Sequence, residues 1–142
     1  AGFVDLASAG GVVAVGLSTL PDVDQRVPGI DHRGPTHTVW FALLVGAGLG
    51  LVGAGVGASS HGLITAIAMG TFGVVVGTVT ICSHIAADAL TPMGVTPLAP
   101  VDGRHISYNV TKAKNPIANY ALLALGGVVA GGTALLGLLV LR

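Results

Sequence analysis

Long apolar runs, separated by two polar stretches, organise this chain. A helix that crosses the hydrocarbon core of a bilayer needs about 20 mostly apolar residues. Three runs meet that length: residues 38–58, 63–90 and 117–141. A fourth run, residues 3–20, is diluted by Asp5 and by serines and glycines. The pattern predicts an all-α integral membrane protein, a compact bundle of about four transmembrane helices that forms a single membrane domain over residues 1–142.

The two polar stretches, approximately residues 21–37 and 91–116, follow the first and third spans and therefore lie on the same side of the membrane. They carry five of the six basic residues, whereas the short loop "SSHG" at residues 59–62 carries none. The five are Arg26, Arg33, Arg104, Lys112 and Lys114. Because basic loops stay in the cytoplasm, the pattern predicts two cytoplasmic polar loops and a multi-pass protein of the plasma membrane.

The low charge content supports this assignment. Only 8% of the residues are charged and 52% are hydrophobic, whereas a water-soluble domain carries about 25% charged residues. Membrane lipid is therefore the expected surrounding partner. The net charge at pH 7 is zero, so we expect no nucleic-acid partner, because the chain has no basic face to neutralise phosphates.

Glycine pairs four residues apart occur in three of the spans. They are Gly46 and Gly50, Gly53 and Gly57, Gly73 and Gly77, and Gly127 and Gly131. Small residues at this spacing let helix backbones approach closely in lipid. The pairs indicate either tight packing inside this bundle or an interface with a second copy or a partner membrane protein.

Polar chemistry concentrates in two short stretches, "PDVDQRVPGIDHRGPTH" and "SHIAADALTP". All six acidic residues of the chain are aspartate, and four of them lie in these stretches together with three histidines. The seven residues are Asp22, Asp24, Asp31, His32, His37, His84 and Asp88. Because both stretches lie on the predicted cytoplasmic face, we expect their side chains to converge there.

Two pairs within these stretches have informative spacing. His84 and Asp88 share one face of a helix, because they are four residues apart, and they either bind one divalent metal ion or form a hydrogen-bonded pair. Asp22 and Asp24 point the same way if their segment is extended. Their repulsion then requires a cation or Arg26 between them, unless the segment is an ordinary surface loop.

The ligand types narrow the chemistry. Nitrogen and oxygen donors without thiolate suit Zn²⁺, Mn²⁺, Fe or a two-metal centre. We expect a divalent metal ion, zinc first, with manganese, iron or magnesium as alternatives. Such an ion activates water as a nucleophile. A spare aspartate, Asp24, or His37 then accepts the proton, and Arg33 holds an anionic group through paired hydrogen bonds.

Three motifs, "LPDVD", "DHRGPTHT" and "SHIAADALTPMGVTPLAP", resemble the YdjM-like family of prokaryotic membrane proteins. The resemblance covers about residues 17–100. The family is described as inner-membrane-associated, with metal-dependent hydrolysis assigned by inference, and some members carry the description LexA-binding. The resemblance implies that the metal ligands are Asp22, Asp24, His32, His37, His84 and Asp88. Two departures are Thr38 in place of serine and the lack of a histidine early in the first span.

Two functions follow from these observations. The first is a membrane-bound metal-dependent hydrolase with its site at the cytoplasmic interface, acting on a phosphoester or a lipid-linked substrate. The alternative is a non-catalytic, glycine-rich subunit or scaffold of a larger membrane assembly, in which the polar cluster is structural. A transporter is disfavoured, because transporter sites lie near the bilayer midplane.

Overall fold

The computed structural model of the chain describes the backbone of residues 3–140 and the side chains of residues 5–59, 61–129 and 131–132. Four α-helices carry the fold: α1 Phe3–Leu17, α2 Val39–His61, α3 Leu63–Ala89 and α4 Pro116–Val140. Two 3₁₀ helices, Pro21–Arg26 and Pro35–His37, lie between α1 and α2. No β-strand occurs within residues 3–140, so the prediction of an all-α protein is confirmed.

The apolar length of the helices agrees with a membrane protein. Three described segments are long and apolar enough to cross a bilayer: residues 5–26, 39–59 and 63–89. In α4 the apolar segment of described residues, Pro116–Val129, is shorter. Residue 141, the predicted end of the last span, lies outside the described residues.

Helix boundaries differ from the predicted spans at two places. The first helix ends at Leu17 rather than at residue 20, and a turn over residues 18–20 leads into the first 3₁₀ helix. The second helix continues through Ser59 to His61, so the predicted four-residue loop is reduced to a turn at Gly62. Gly62 adopts a φ of +82°, which glycine reaches without a steric penalty, and this permits the tight reversal between α2 and α3.

The α2–α3 pair is held together by its glycines. A Cβ atom placed on Gly77 would lie 2.9 Å from the Cα of Gly46, and one on Gly57 would lie 2.5 Å from the carbonyl oxygen of Thr65. Side chains at these positions would therefore push the two helices apart. Of the two interpretations of the glycine pairs, packing inside the bundle accounts for those in α2 and α3.

The outer helices pack more loosely. Gly10 of α1 faces α3, where an added Cβ would lie 2.7 Å from the ring of Phe72. The described side chains of α4 are almost all exposed, and a Cβ on Gly127 or Gly131 would meet no atom within 4 Å. An interface through the glycines of α4 stays a prediction.

The segment after α3 folds back over the helix ends and positions them. Val95 and Ile106 exchange backbone hydrogen bonds of 3.0 and 2.8 Å. The N–H of Tyr108 donates to the carbonyl of Ala89 at 2.8 Å, and the N–H of Val39 donates to the carbonyl of Pro97 at 2.9 Å. These bonds satisfy groups that a helix leaves unpaired at its termini. The end of α3 and the start of α2 are thereby held side by side.

Candidate metal centre

One end of the bundle brings the two polar stretches together. Asp22 and Asp24 lie on the first 3₁₀ helix, His37 ends the second, and His84 and Asp88 lie in the last two turns of α3. The expected convergence of these side chains is what the structure shows.

The condition under which Asp22 and Asp24 would point the same way, an extended segment, is not met. Their segment is a 3₁₀ helix rather than an extended strand. With three residues per turn, positions two apart lie on different faces. Asp24 turns inward and its side chain is fully buried, while Asp22 stays 39% exposed.

The ring of His84 is oriented by the end of α1. Its Nδ1 lies 2.7 Å from the carbonyl oxygen of Ser18, which can only accept a hydrogen bond. The ring therefore carries a proton on Nδ1, and when it is neutral Nε2 is the nitrogen that can bind a metal ion. That Nε2 lies 3.5 Å from Oδ2 of Asp88 and 3.8 Å from Oδ1 of Asp22.

The ring of His37 is oriented in the same sense by Asp24. Its Nδ1 lies 3.3 Å from Oδ2 of Asp24 and 3.1 Å from the hydroxyl of Thr36. The Thr36 hydroxyl donates its own proton to Asp24 at 2.8 Å, so both neighbours accept from Nδ1–H. The Nε2 of His37 then presents its lone pair to Oδ2 of Asp88, at 3.2 Å.

Three atoms at the centre of this cluster are buried and have no hydrogen-bond partner: His37 Nε2, His84 Nε2 and Asp88 Oδ2. Buried polar atoms are almost always paired, because an unpaired one costs about 1–3 kcal/mol. With Asp22 Oδ1, which lies 3.8 Å from each Nε2, they form a group of two nitrogen and two carboxylate ligand atoms.

The spacing of these atoms suits a metal ion. Ligands at about 2.0–2.1 Å from a tetrahedral Zn²⁺ ion lie about 3.3–3.4 Å apart. The separations to Asp88 are 3.2 and 3.5 Å, and those to Asp22 are slightly longer at 3.8 Å. Asp22, His37 and His84 therefore form a group that could hold a metal ion, with Asp88 against both histidines.

A second group that could hold an ion consists of Asp24, His32 and His37. The oxygens of Asp24 are already engaged: Oδ1 lies 3.0 Å from His32 Nδ1, and Oδ2 accepts from the Arg33 N–H at 3.0 Å as well as from Thr36. A carboxylate behind a histidine ligand commonly orients its ring. Asp24 occupies that place behind His37, and His32 in turn contacts Asp24.

Arg33 is bound by the protein rather than presented to a substrate. Its Nη2 donates to Asp88 Oδ1 at 2.6 Å, and its Nη1 donates to the Thr91 hydroxyl at 2.7 Å. The side chain is only 10% exposed. Both terminal nitrogens have protein acceptors, and the pairing of Arg33 with an anionic substrate group stays a prediction.

Solvent reaches the cluster from the Asp22 side. The side chain of Asp22 is 39% exposed, whereas those of His84 and Asp88 are 18% and 14% exposed. The exposed Gln25 donates to Asp22 Oδ1 at 3.0 Å. A substrate would therefore approach past the first 3₁₀ helix.

Some polar residues lie outside the cluster. One contact within the cluster was not predicted from the sequence. Asp31 is exposed, and its carbonyl accepts from the Gly34 N–H in the turn before His37. His61 ends α2, at the opposite end from the cluster. The missed contact is the Ser18 carbonyl, because a backbone oxygen carries no side-chain signal.

Comparison with known families gives one match. A family model described as YdjM inner membrane protein matches residues 4–141, nearly the whole chain. No curated protein and no solved structure matches the chain.

Proposed function

The chain belongs to the YdjM inner membrane protein family, and on that premise we propose that it is a membrane-bound, metal-dependent hydrolase. Asp22, His37, His84 and Asp88 hold one divalent ion, with zinc the first candidate. The three buried, unpartnered atoms at the centre of the cluster carry this proposal.

Charge balance favours a divalent cation in this place. Three carboxylates, Asp22, Asp24 and Asp88, surround the two histidines, and the Arg33 guanidinium contacts one of them, Asp88. With neutral histidines, this cluster has a net charge of −2. Uncompensated charge away from water is expensive, so a bound dication would stabilise the arrangement.

A hydrogen-bonded cluster without metal is less well matched to the geometry. It would require protonated Nε2 atoms on His37 and His84 that donate to Asp88, yet neither Nε2 makes a hydrogen bond. The Nδ1 atoms of both rings already hold protons toward Asp24 and Ser18. Neutral rings around a cation would instead give both Nε2 lone pairs and Asp88 Oδ2 a common partner.

The ion would act as a Lewis acid that polarises the substrate and lowers the pKa of water. The protein's own residues would then define the surroundings. Asp24 keeps the Nδ1 proton on His37, the Ser18 carbonyl does the same for His84, and the partly exposed Asp22 lies where substrate enters. A proton released from water would leave through Asp22, since the oxygens of Asp24 already accept several hydrogen bonds.

The place of the site at the end of the helices limits the substrate class. Asp22 lies near the end of one candidate span and Asp88 near the end of another, so a bound substrate would lie at the membrane surface. A phosphoester or a lipid-linked substrate suits this location and would meet the divalent cation through its anionic oxygen.

Metal content tests the site. The purified full-length protein should hold about one zinc ion per chain by elemental analysis, and His84→Ala and Asp88→Ala should lose it while staying monodisperse. His105→Ala is the matched control, because His105 is exposed and contacts Thr96 rather than the cluster. Full metal content in both cluster variants would refute the assignment.

Hydrolysis is tested separately on the metal-loaded protein, with a soluble aryl phosphate and with phosphoester lipids in vesicles. Activity should disappear on chelation, return with Zn²⁺, and not return in His84→Ala. A metal-replete protein that cleaves neither substrate class and co-purifies with a fixed membrane partner would favour the non-catalytic scaffold instead.

A further inference from the structure

The two oxygens of Asp88 have different partners. Oδ1 accepts from Nη2 of Arg33 at 2.6 Å, whereas Oδ2 faces the two histidines at 3.2 and 3.5 Å. A carboxylate rotates readily about its last bond, because that torsion is broad and roughly two-fold. The contact with Arg33 therefore fixes the plane of the carboxylate, with one oxygen on the guanidinium and the other toward the metal site.

Arg33 is itself held at several points. Its Nη1 donates to the Thr91 hydroxyl at 2.7 Å and to the Gly94 carbonyl at 3.1 Å, just after α3. Its backbone N–H donates to Asp24 at 3.0 Å, from a residue with φ of +61°. This left-handed conformation is uncommon for residues with a side chain. Arg33 thus contacts two carboxylates of the cluster, Asp24 behind His37 and Asp88 against both histidines.

We infer that Arg33 is a positioning residue for the metal site, which fixes Asp88 with Oδ2 inward. The inference rests on the proposed metal-binding function. It replaces the role of substrate anchor, since the guanidinium nitrogens that would bind an anion are engaged by Asp88, Thr91 and Gly94.

Electrostatics and positioning make opposite predictions for this residue. Removing a guanidinium next to a cation site removes a repulsion, so charge alone predicts tighter metal binding. Loss of the contact that orients Asp88 predicts weaker binding, because residues that orient metal ligands commonly contribute about 10–100-fold to metal affinity. The sign of the change therefore separates the two effects.

Arg33→Gly is the most informative variant. Glycine adopts positive φ readily, so the backbone N–H to Asp24 is retained while the guanidinium is removed. Arg104→Gly is the matched control, because Arg104 also pairs with an aspartate, Asp102 at 2.7 Å, but is 82% exposed and remote from the cluster. Zn²⁺ affinity is measured on the detergent-purified full chain by competition with a chromophoric chelator.

We expect Arg33→Gly to bind Zn²⁺ about 10–100-fold more weakly than wild type, still at one ion per chain when saturated. The Zn²⁺ affinity of Arg33→Lys should lie between those of wild type and Arg33→Gly, since one ammonium cannot reproduce the planar fork between Asp88 and Thr91. The visible spectrum of the Co²⁺-loaded Arg33→Gly protein should differ from wild type because Asp88 binds differently. Arg104→Gly should match wild type in affinity and spectrum.

Unchanged or tighter Zn²⁺ binding by Arg33→Gly would overturn the inference while leaving the metal site itself intact. Failure of the wild-type protein to bind Zn²⁺ would overturn the proposed function and the inference with it. If Arg33→Gly does not fold, Thr91→Val decides: it keeps the guanidinium but removes one Nη1 acceptor, together with the hydrogen bond from the Thr91 hydroxyl to the Asp88 carbonyl. A several-fold loss of Zn²⁺ affinity in that variant supports the positioning role. An unchanged affinity refutes it.

Discussion

Replacing His84 by asparagine should separate metal binding from the structural contact of the same side chain. The amide nitrogen of asparagine can take the place of Nδ1 and donate to the Ser18 carbonyl, which lies 2.7 Å from Nδ1 in the wild type. Nothing replaces Nε2, the buried atom with no partner. The variant should keep the link between α3 and the end of α1 while losing a metal ligand.

The size of the effect follows from linkage. A ligand at 100 times its Kd stabilises the folded state by about 2.7 kcal/mol. For a chain slightly longer than this one, each kcal/mol of stabilisation raises the Tm by about 2–4 °C. Zn²⁺ should therefore raise the wild-type Tm by roughly 5–10 °C. In His84→Asn this metal-dependent rise should vanish. With chelator present, the two proteins should differ by less than about 1 kcal/mol, the net contribution of one hydrogen bond.

Thermal unfolding of the detergent-solubilised protein, with Zn²⁺ or with chelator, measures both quantities. His84→Gln is the complementary variant, because its amide reaches the Nε2 position but not the Ser18 carbonyl. It should lose stability even with chelator present. An equal Zn²⁺-dependent rise in wild type and His84→Asn would show that the ion binds elsewhere.

Three further predictions test the rest of the structure. Asp24→Asn should lower Zn²⁺ affinity about 10–100-fold without changing the stoichiometry at saturation, because it weakens the contact that orients a histidine ligand; chelator competition measures this. Gly77→Ala should destabilise the protein by about 1–3 kcal/mol, because the added methyl meets the α2 backbone. Gly48→Ala, whose methyl would point into open space, should be neutral or stabilising. Denaturation in detergent compares the two variants. With the native cysteine removed, a cysteine at Lys114 should react with an impermeant maleimide only from the cytoplasmic side, and one at Ser59 only from the opposite side; the reverse labelling would overturn the positive-inside orientation.

Sequence reasoning was most successful where the signal is local. Apolar length, and the prolines and glycines that end helices, are properties of short segments, and they placed four helices close to where they lie. The helix α2 ran past its predicted end because "SSH" is compatible with both loop and helix, and only packing against α3 decided between them. The three motifs likewise indicated the family that the comparison shows.

Within the cluster, residue types were predictable but their atoms were not. The family resemblance made both Asp22 and Asp24 metal ligands, and only the 3₁₀ geometry shows that Asp24 lies behind His37 while Asp22 lies at the solvent edge. Arg33 was assigned to a substrate, yet Asp88 and Thr91 take its guanidinium. The Arg33 contacts join residues 55 and 58 positions apart in the sequence.

The sequence by itself therefore determined a helical membrane protein with histidine and aspartate gathered at one face, because hydropathy and residue chemistry are carried by the side chains themselves. The tertiary structure decided which nitrogen of each histidine faces Asp88 and how the Asp88 carboxylate is oriented between Arg33 and the histidines. Hydrogen bonds with distant groups make those choices, and one of these groups is the Ser18 carbonyl. Every residue has a backbone carbonyl, so no sequence pattern can mark this one.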